Sequence, residues 1–117
     1  MILNKREVIH AIEDGINIIH LFDFCRTDRI CVLRPIGLIN SQLFLITLRA
    51  QLEIGKPYDF IFDFNNDAAF SCTEFVAYCL KEFITIEKEE VKLFGFIKKK
   101  IIKPTTFLLS PHLEKVY

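Results

Sequence analysis

Phe70-Ser71-Cys72-Thr73-Glu74-Phe75-Val76-Ala77-Tyr78-Cys79-Leu80 decides the fold, because only here does a reactive side chain open a predictable element. Ser71 followed three residues later by Glu74 forms a capping box: the serine hydroxyl accepts from the Glu74 amide, and the carboxylate reaches back to the Ser71 amide. A helix therefore starts at Cys72. The free amides of its first turn and the positive end of its dipole favour a thiolate, so Cys72 is the candidate nucleophile; the competing reading is a small buried thiol at a helix start. Positions 72, 75, 76, 79, 80 and 83 fall on one stripe at helical spacing, which predicts that Cys72 points toward the packed interior at the helix's open end. Cys79 shares that face two turns later without the help of the helix start.

Upstream of this helix, Tyr58 to Phe64 alternates aromatic or aliphatic residues with aspartate, as a strand with one face in the core does, and Asn65-Asn66-Asp67 turns the chain toward Cys72. Tyr58 follows Pro57 and is read either as an ordinary core tyrosine or as a hydroxyl donor to a developing oxyanion. A helix is expected from Asn40 or Ser41 to about Ile54, with Phe44, Leu45, Leu48 and Leu52 inward, Gly55 closing it and Pro57 forbidding continuation. Arg29-Ile30-Cys31-Val32-Leu33-Arg34 reads as a strand with Cys31 as a small core residue, and the polar connection 23–28 as one helical turn. The start of the chain reads as the tail of one strand (Ile2-Leu3), a turn at Asn4-Lys5, a second strand (Val8 to Ile12), a turn at Glu13-Asp14-Gly15 and a third strand from Ile16. Downstream of Phe83 come a charged stretch and an apolar strand from Val91 to Ile97. Lys98-Lys99-Lys100 is then a solvated edge, and a short helix begins near Thr105, with a turn at Ser110-Pro111 and a docked Val116-Tyr117.

The composition is that of one globular domain spanning 1–117: 51% of residues are hydrophobic, with twelve Phe and no Trp. Lys+Arg and Asp+Glu both number 15, so no global field recruits nucleic acid or an anionic membrane. The cysteines 25, 31, 72 and 79 show neither a CxxC nor a paired histidine spacing, which favours reduced thiols, no metal and no cofactor. No apolar run approaches the roughly 20 residues of a membrane helix, and no signal peptide is read at Met1-Ile2-Leu3, so a cytoplasmic setting is the default expectation. His10 on the second strand is read as a strand histidine bonded to backbone or as part of a catalytic set. His20 and His112 are expected to be structural or solvated, and Glu74 to be the capping carboxylate.

Taken in order, Val8-Ile9-His10-Ala11, Gly15-Ile16, Leu21, Val32-Leu33-Arg34-Pro35, Tyr58-Asp59-x-x-x-Asp63, Ser71-Cys72-Thr73-Glu74-Phe75-Val76 and Pro104 through Val116-Tyr117 resemble the permuted papain-like amidases of the YaeF/YiiX type. These are circularly permuted relatives of the NlpC-type cell-wall peptidases and of the lecithin retinol acyltransferase group. The resemblance implies an α+β fold in which a small antiparallel sheet or half-barrel packs against the helix bearing the cysteine. It implies a thiol nucleophile at Cys72, a base histidine, and a polar residue that orients the histidine from the next strand. His10 matches the orienting position, so the base histidine is expected about ten residues earlier, upstream of Met1. Tyr58 and Ser71 are the candidates for oxyanion contact or support.

The expected function is hydrolysis of amide or acyl bonds through a Cys-acyl intermediate. Substrates are expected among cell-wall peptides or lipid-like amides and esters, with acyl transfer between lipids as a variant of the same chemistry. The alternative is a catalytically silent or truncated member of the fold, kept for binding. An N-terminus that begins inside a hairpin would leave a sheet edge open, which invites pairing with another chain.

Overall fold

The computed structural model describes residues 1–60, 68–93, 95 and 97–117, with the side chains of Leu93 and Ile97 excepted. The chain begins as the sequence reading expects. Ile2 bridges Val8, and Met1 and Ile9 exchange both backbone hydrogen bonds at 2.8 Å, so residues 1–3 lie against β1 (Glu7–Ile12). The turn between them is closed by the Asn4 side chain, whose Oδ1 accepts from the amides of Arg6 and Glu7. β1 pairs antiparallel with β2 (Gly15–His20), with His10 opposite Asn17. The buried members Val8, Ile9, Ala11 and Ile16 form the sheet's contribution to the core.

Gly15 is what docks this hairpin onto the rest of the chain. It has φ +104°, and a Cβ there would sit 2.6 Å from the Lys56 carbonyl oxygen. Only glycine tolerates both conditions. The close approach lets the Ile16 amide donate to Lys56 O (2.9 Å) and the Gly55 amide donate to Ile16 O (2.9 Å). The loop that leads to Tyr58 is thereby stitched to the start of β2.

After β2 come α1 (Leu21–Phe24), β3 (Leu33–Pro35) and α2 (Asn40–Leu52). The predicted strand over 29–34 shrinks to three residues at its C-terminal end, and Cys31 is exposed, not in the core. α2 corrects a second expectation. It starts one residue earlier in capping terms, with Ile39 as the N-cap and the Ile39 amide donating to Gln42 Oε1 (3.0 Å). It also turns a different face inward: Ile46 and Ala50 are buried, whereas Phe44 is 62% and Leu52 78% exposed. Apolar residues occur nearly all round this helix, so periodicity alone does not select the stripe. Ala50, fully buried, is the position that admits close approach of the neighbouring helix.

That neighbour is α3 (Cys72–Leu80), which packs against α2 and β1 and buries Phe75, Cys79 and Leu80. Beyond it, β4 (Glu89–Leu93) and β5 (Ile97–Ile101) form a hairpin that holds the lysine run 98–100 on an exposed or half-exposed strand. α4 (Pro104–Leu109) follows, and β6 (Leu113–Lys115) returns to pair antiparallel with β3. Val32 and Val116 extend that pairing, with Val116 N donating to Val32 O (2.9 Å) and Val32 N donating to Tyr117 O (3.2 Å). The architecture is thus mixed α+β, with small antiparallel sheets and helices around a single core cluster. Of the predicted strand over 58–64, Tyr58 makes an isolated parallel bridge to Phe70, and residues 61–67, Asp63 among them, lie outside the described residues.

Candidate active site

The Ser71 cap forms as the sequence predicts, and α3 begins at Cys72. The Glu74 amide donates to Ser71 Oγ (3.4 Å). The reciprocal half differs: the Ser71 hydroxyl donates to Glu74 Oε1 at 2.8 Å. Ser71 is fully buried, so its hydroxyl serves the helix start and has no access to a substrate.

Cys72 itself is exposed, contrary to the inward direction expected from the helical stripe. The side chains that α3 buries are Thr73, Glu74, Phe75, Cys79 and Leu80, which rotates the inward face away from position 72. Cys72 instead stands on the wall of an open cleft of about 780 Å³. Thr73, Val76 and Leu80 continue that wall; Leu43 and Ile46 of α2 and Phe107 of α4 stand among the residues lining the rest. Among the described residues, every side chain lining the cleft is aliphatic, aromatic, a cysteine, a methionine or a threonine; the one charge on these residues is the Met1 ammonium, which donates to Ile9 O (2.8 Å). Cys79, by contrast, is sealed in the core; burial above all, then the Glu53 carboxylate, pushes its thiol up to about 12.

Tyr58 is carried to Cys72 by the segment stitched to β2. The Phe70 amide donates to Pro57 O and the Asp59 amide to Phe70 O, both at 3.1 Å, so residues 57–59 run beside Phe70, just ahead of α3. The Tyr58 phenol stands close enough to Cys72 for the cysteine to act on its ionisation. Burial, and then the adjacent Cys72, raises the phenol above its ordinary value of 10, so it stays a proton donor at neutral pH.

Beside Tyr58 in sequence, Asp59 is buried, as is Glu74 of α3, at 5% and 4% exposed. Burial, and then Asp59, pushes Glu74 up to about 7 against the opposing hydrogen bond from Ser71. Sequence reasoning missed this pair. Glu74 is fully accounted for by its cap, and strand alternation assigns Asp59 to the solvent side.

The histidines stand elsewhere. His10 Nε2 lies 2.7 Å from Asn17 Oδ1 across the β1–β2 pair, with its ring edge-on to Phe24 at 6.2 Å. His20 accepts from the Phe22 amide at the start of α1, and His112 is exposed near the turn before β6. None of the three lines the cleft that Cys72 borders. The site brings together Cys72, Tyr58 and the buried Ser71, and it does not bring His10 to the sulfur. Among the described residues no three His, Cys, Asp or Glu side chains are grouped to hold a metal ion, and no helix is long and apolar enough to cross a membrane.

Comparison with known proteins agrees with this fold. No curated protein matches the chain significantly. Among solved structures, the metalloprotein YiiX from Escherichia coli O157:H7 is similar in fold, with a TM-score of 0.80 at 21% identity, over 97% of this chain and 77% of that one. Residues 2–117 match the model of the permuted papain-like amidase enzymes, YaeF/YiiX, C92 family, and the chain belongs to that family.

Proposed function

We propose that the protein is a cysteine-dependent amidase whose nucleophile is Cys72 and whose substrate presents an apolar acyl group. The observation that carries this reading is the position of one exposed thiol at a helix start, on the wall of a cleft lined by uncharged side chains and beside a phenol. Cys72 Sγ attacks the carbonyl carbon, and the carbonyl electron pair moves onto oxygen. That oxygen is met by the Tyr58 hydroxyl and an amide of the helix start. Collapse re-forms the carbonyl and breaks the C–N bond, the leaving amine taking a proton from a histidine; water then hydrolyses the thioester.

In this reading His10 orients the histidine that carries the proton. The bonding of His10 to Asn17 is compatible with a positioning role and leaves the proton transfer itself to another imidazole.

The cleft favours an acyl chain over a cell-wall stem peptide, whose carboxylates and amines need charged partners that its described lining does not offer. Each buried methylene contributes about 0.8 kcal/mol, or roughly a fourfold gain in kcat/KM. A series of p-nitrophenyl esters from acetyl to decanoyl tests this. The expected result is a steep rise with chain length that is lost in Cys72→Ala; a flat profile with Cys72 still reacting rejects the acyl preference alone. A second reading, a silent binding domain, is favoured by the three histidines standing away from the cleft. Such a domain would bind the longer esters without a Cys72-dependent turnover.

A further inference from the structure

We propose that the row Cys72–Val76–Leu80 on α3 is a ruler for the acyl chain, and that the substrates are medium-chain acyl amides of about ten carbons. The inference rests on Cys72 as the nucleophile and on an apolar acyl group in the cleft. It adds where that group lies and how long it is.

α3 contributes Cys72, Thr73, Val76 and Leu80 to the cleft wall. Cys72, Val76 and Leu80 follow one another four residues apart, so they stack along one face of the helix. The row descends from solvent into the core: Cys72 is exposed, Val76 half-buried and Leu80 only 4% exposed. The elements packed against α3 continue the sealed wall, α2 with Ile46 and β1 with Val8, both buried. The wall contributed by residues 24–31 is the reverse, since Phe24, Cys25 and Cys31 line the cleft and are exposed. A methylene gains free energy only where water is excluded. A chain that starts at the Cys72 sulfur therefore runs along the row and not toward residues 24–31.

The row has a defined end. Leu80 is the last residue of α3, while Cys79 and Ala50 of α2 are sealed in the core and do not line the cleft. At a helix rise of about 1.5 Å per residue, Val76 lies about 6 Å along the axis from Cys72, and Leu80 about 12 Å. An extended hydrocarbon chain, with bonds of about 1.5 Å at angles near 111°, advances about 1.25 Å per carbon. Val76 thus stands beside about the fifth carbon of an acyl group on Cys72, and Leu80 beside about the tenth.

The experiment measures kcat/KM for p-nitrophenyl esters from butyryl to tetradecanoyl, each below its aggregation concentration. The proteins are wild type, Val76→Phe and the milder Val76→Leu, each with its melting temperature. In wild type the value is expected to climb about fourfold per carbon up to about ten carbons and then level. Val76→Phe sets a ring across the row at its midpoint. The levelling is then expected near five carbons, and the decanoyl-to-butyryl ratio should fall about a hundredfold or more, with a smaller fall in Val76→Leu. The ratio is taken within one protein, so partial unfolding of a variant lowers both rates and leaves it unchanged. A climb that continues to tetradecanoyl in wild type, or a ratio that neither Val76 variant moves, overturns the ruler while the acyl preference stands. A flat wild-type profile with Cys72 still reacting rejects the acyl preference, and an unreactive Cys72 rejects the nucleophile; either result takes the ruler with it.

Discussion

Tyr58 stands against Cys72, although the two residues belong to different segments, and the cysteine helps to raise the phenol's pKa. In the proposed mechanism the phenol is the donor that meets the carbonyl oxygen as the thiol attacks. Its raised pKa keeps the proton available for donation.

Removing that donor gives the first prediction. Tyr58→Phe keeps the ring contact with Phe60 (centroids 4.8 Å) and the backbone bridge to Phe70, and loses only the hydroxyl. The rate of Cys72 acylation is expected to fall by about a hundredfold, with the melting temperature nearly unchanged. Stopped-flow release of p-nitrophenolate measures it; a fall below about threefold means the phenol takes no part.

Glu74 gives a second prediction, on stability. Its folded-state pKa, about 7, lies above the ordinary 4.5, so the folded chain binds the extra proton between those values. The stabilisation is complete below about pH 4.5 and is lost as pH rises to about 7, a difference on the order of 3 kcal/mol from this group alone. Urea unfolding at about pH 5 and about pH 8 should show the loss in wild type and a smaller one in Glu74→Gln. Equal slopes in the two proteins would show that Glu74 does not hold a proton in the folded state.

The third prediction separates the cysteines. Cys25, Cys31 and Cys72 are exposed, whereas Cys79 is buried with its thiol pushed up to about 12. Iodoacetamide at neutral pH should modify the first three in the folded protein, with Cys79 slower by at least about a thousandfold until urea opens the core. Peptide mapping by mass spectrometry reads this directly, and early modification of Cys79 would contradict the packing of α3 on α2 and β1.

Gly15 supplies a fourth. Its positive φ and the 2.6 Å approach of Lys56 O to a would-be Cβ mean that Gly15→Ala must break the docking of residues 55–56 onto β2. A loss of about 2 kcal/mol or more is expected in urea unfolding, with a parallel loss of acylation rate because the same loop carries Tyr58.

The parts of this structure written in local sequence were legible, and those written between distant segments were not. Ser71 and Glu74 mark the start of α3 within four residues, and Asn4 with Gly15 punctuates the N-terminal strands, so both features follow from adjacent side chains. The buried face of α2 does not: Leu43, Phe44, Leu45, Ile46, Leu48, Ala50 and Leu52 offer several apolar stripes, and the choice of Ile46 and Ala50 is made by the helix packed against them. The exposure of Cys72 escaped for a related reason, since a stripe at helical spacing fixes neighbours on a face and not how far that face rolls inward. Tyr58 was identifiable as a candidate by its place after Pro57, but its approach to Cys72 required the Gly15 docking. The Asp59–Glu74 pair was hidden because each residue already had a sufficient local explanation.

The account stands on Cys72 being the residue that takes the acyl group. Intact mass spectrometry after brief exposure of the folded protein to p-nitrophenyl octanoate, followed by peptide mapping, tests that claim most directly. The account predicts a single octanoyl adduct, located on Cys72 and absent from Cys72→Ala, with Cys25 and Cys31 unmodified on the same timescale despite their exposure. An adduct that persists in Cys72→Ala, or that spreads evenly over the three exposed cysteines, would contradict it.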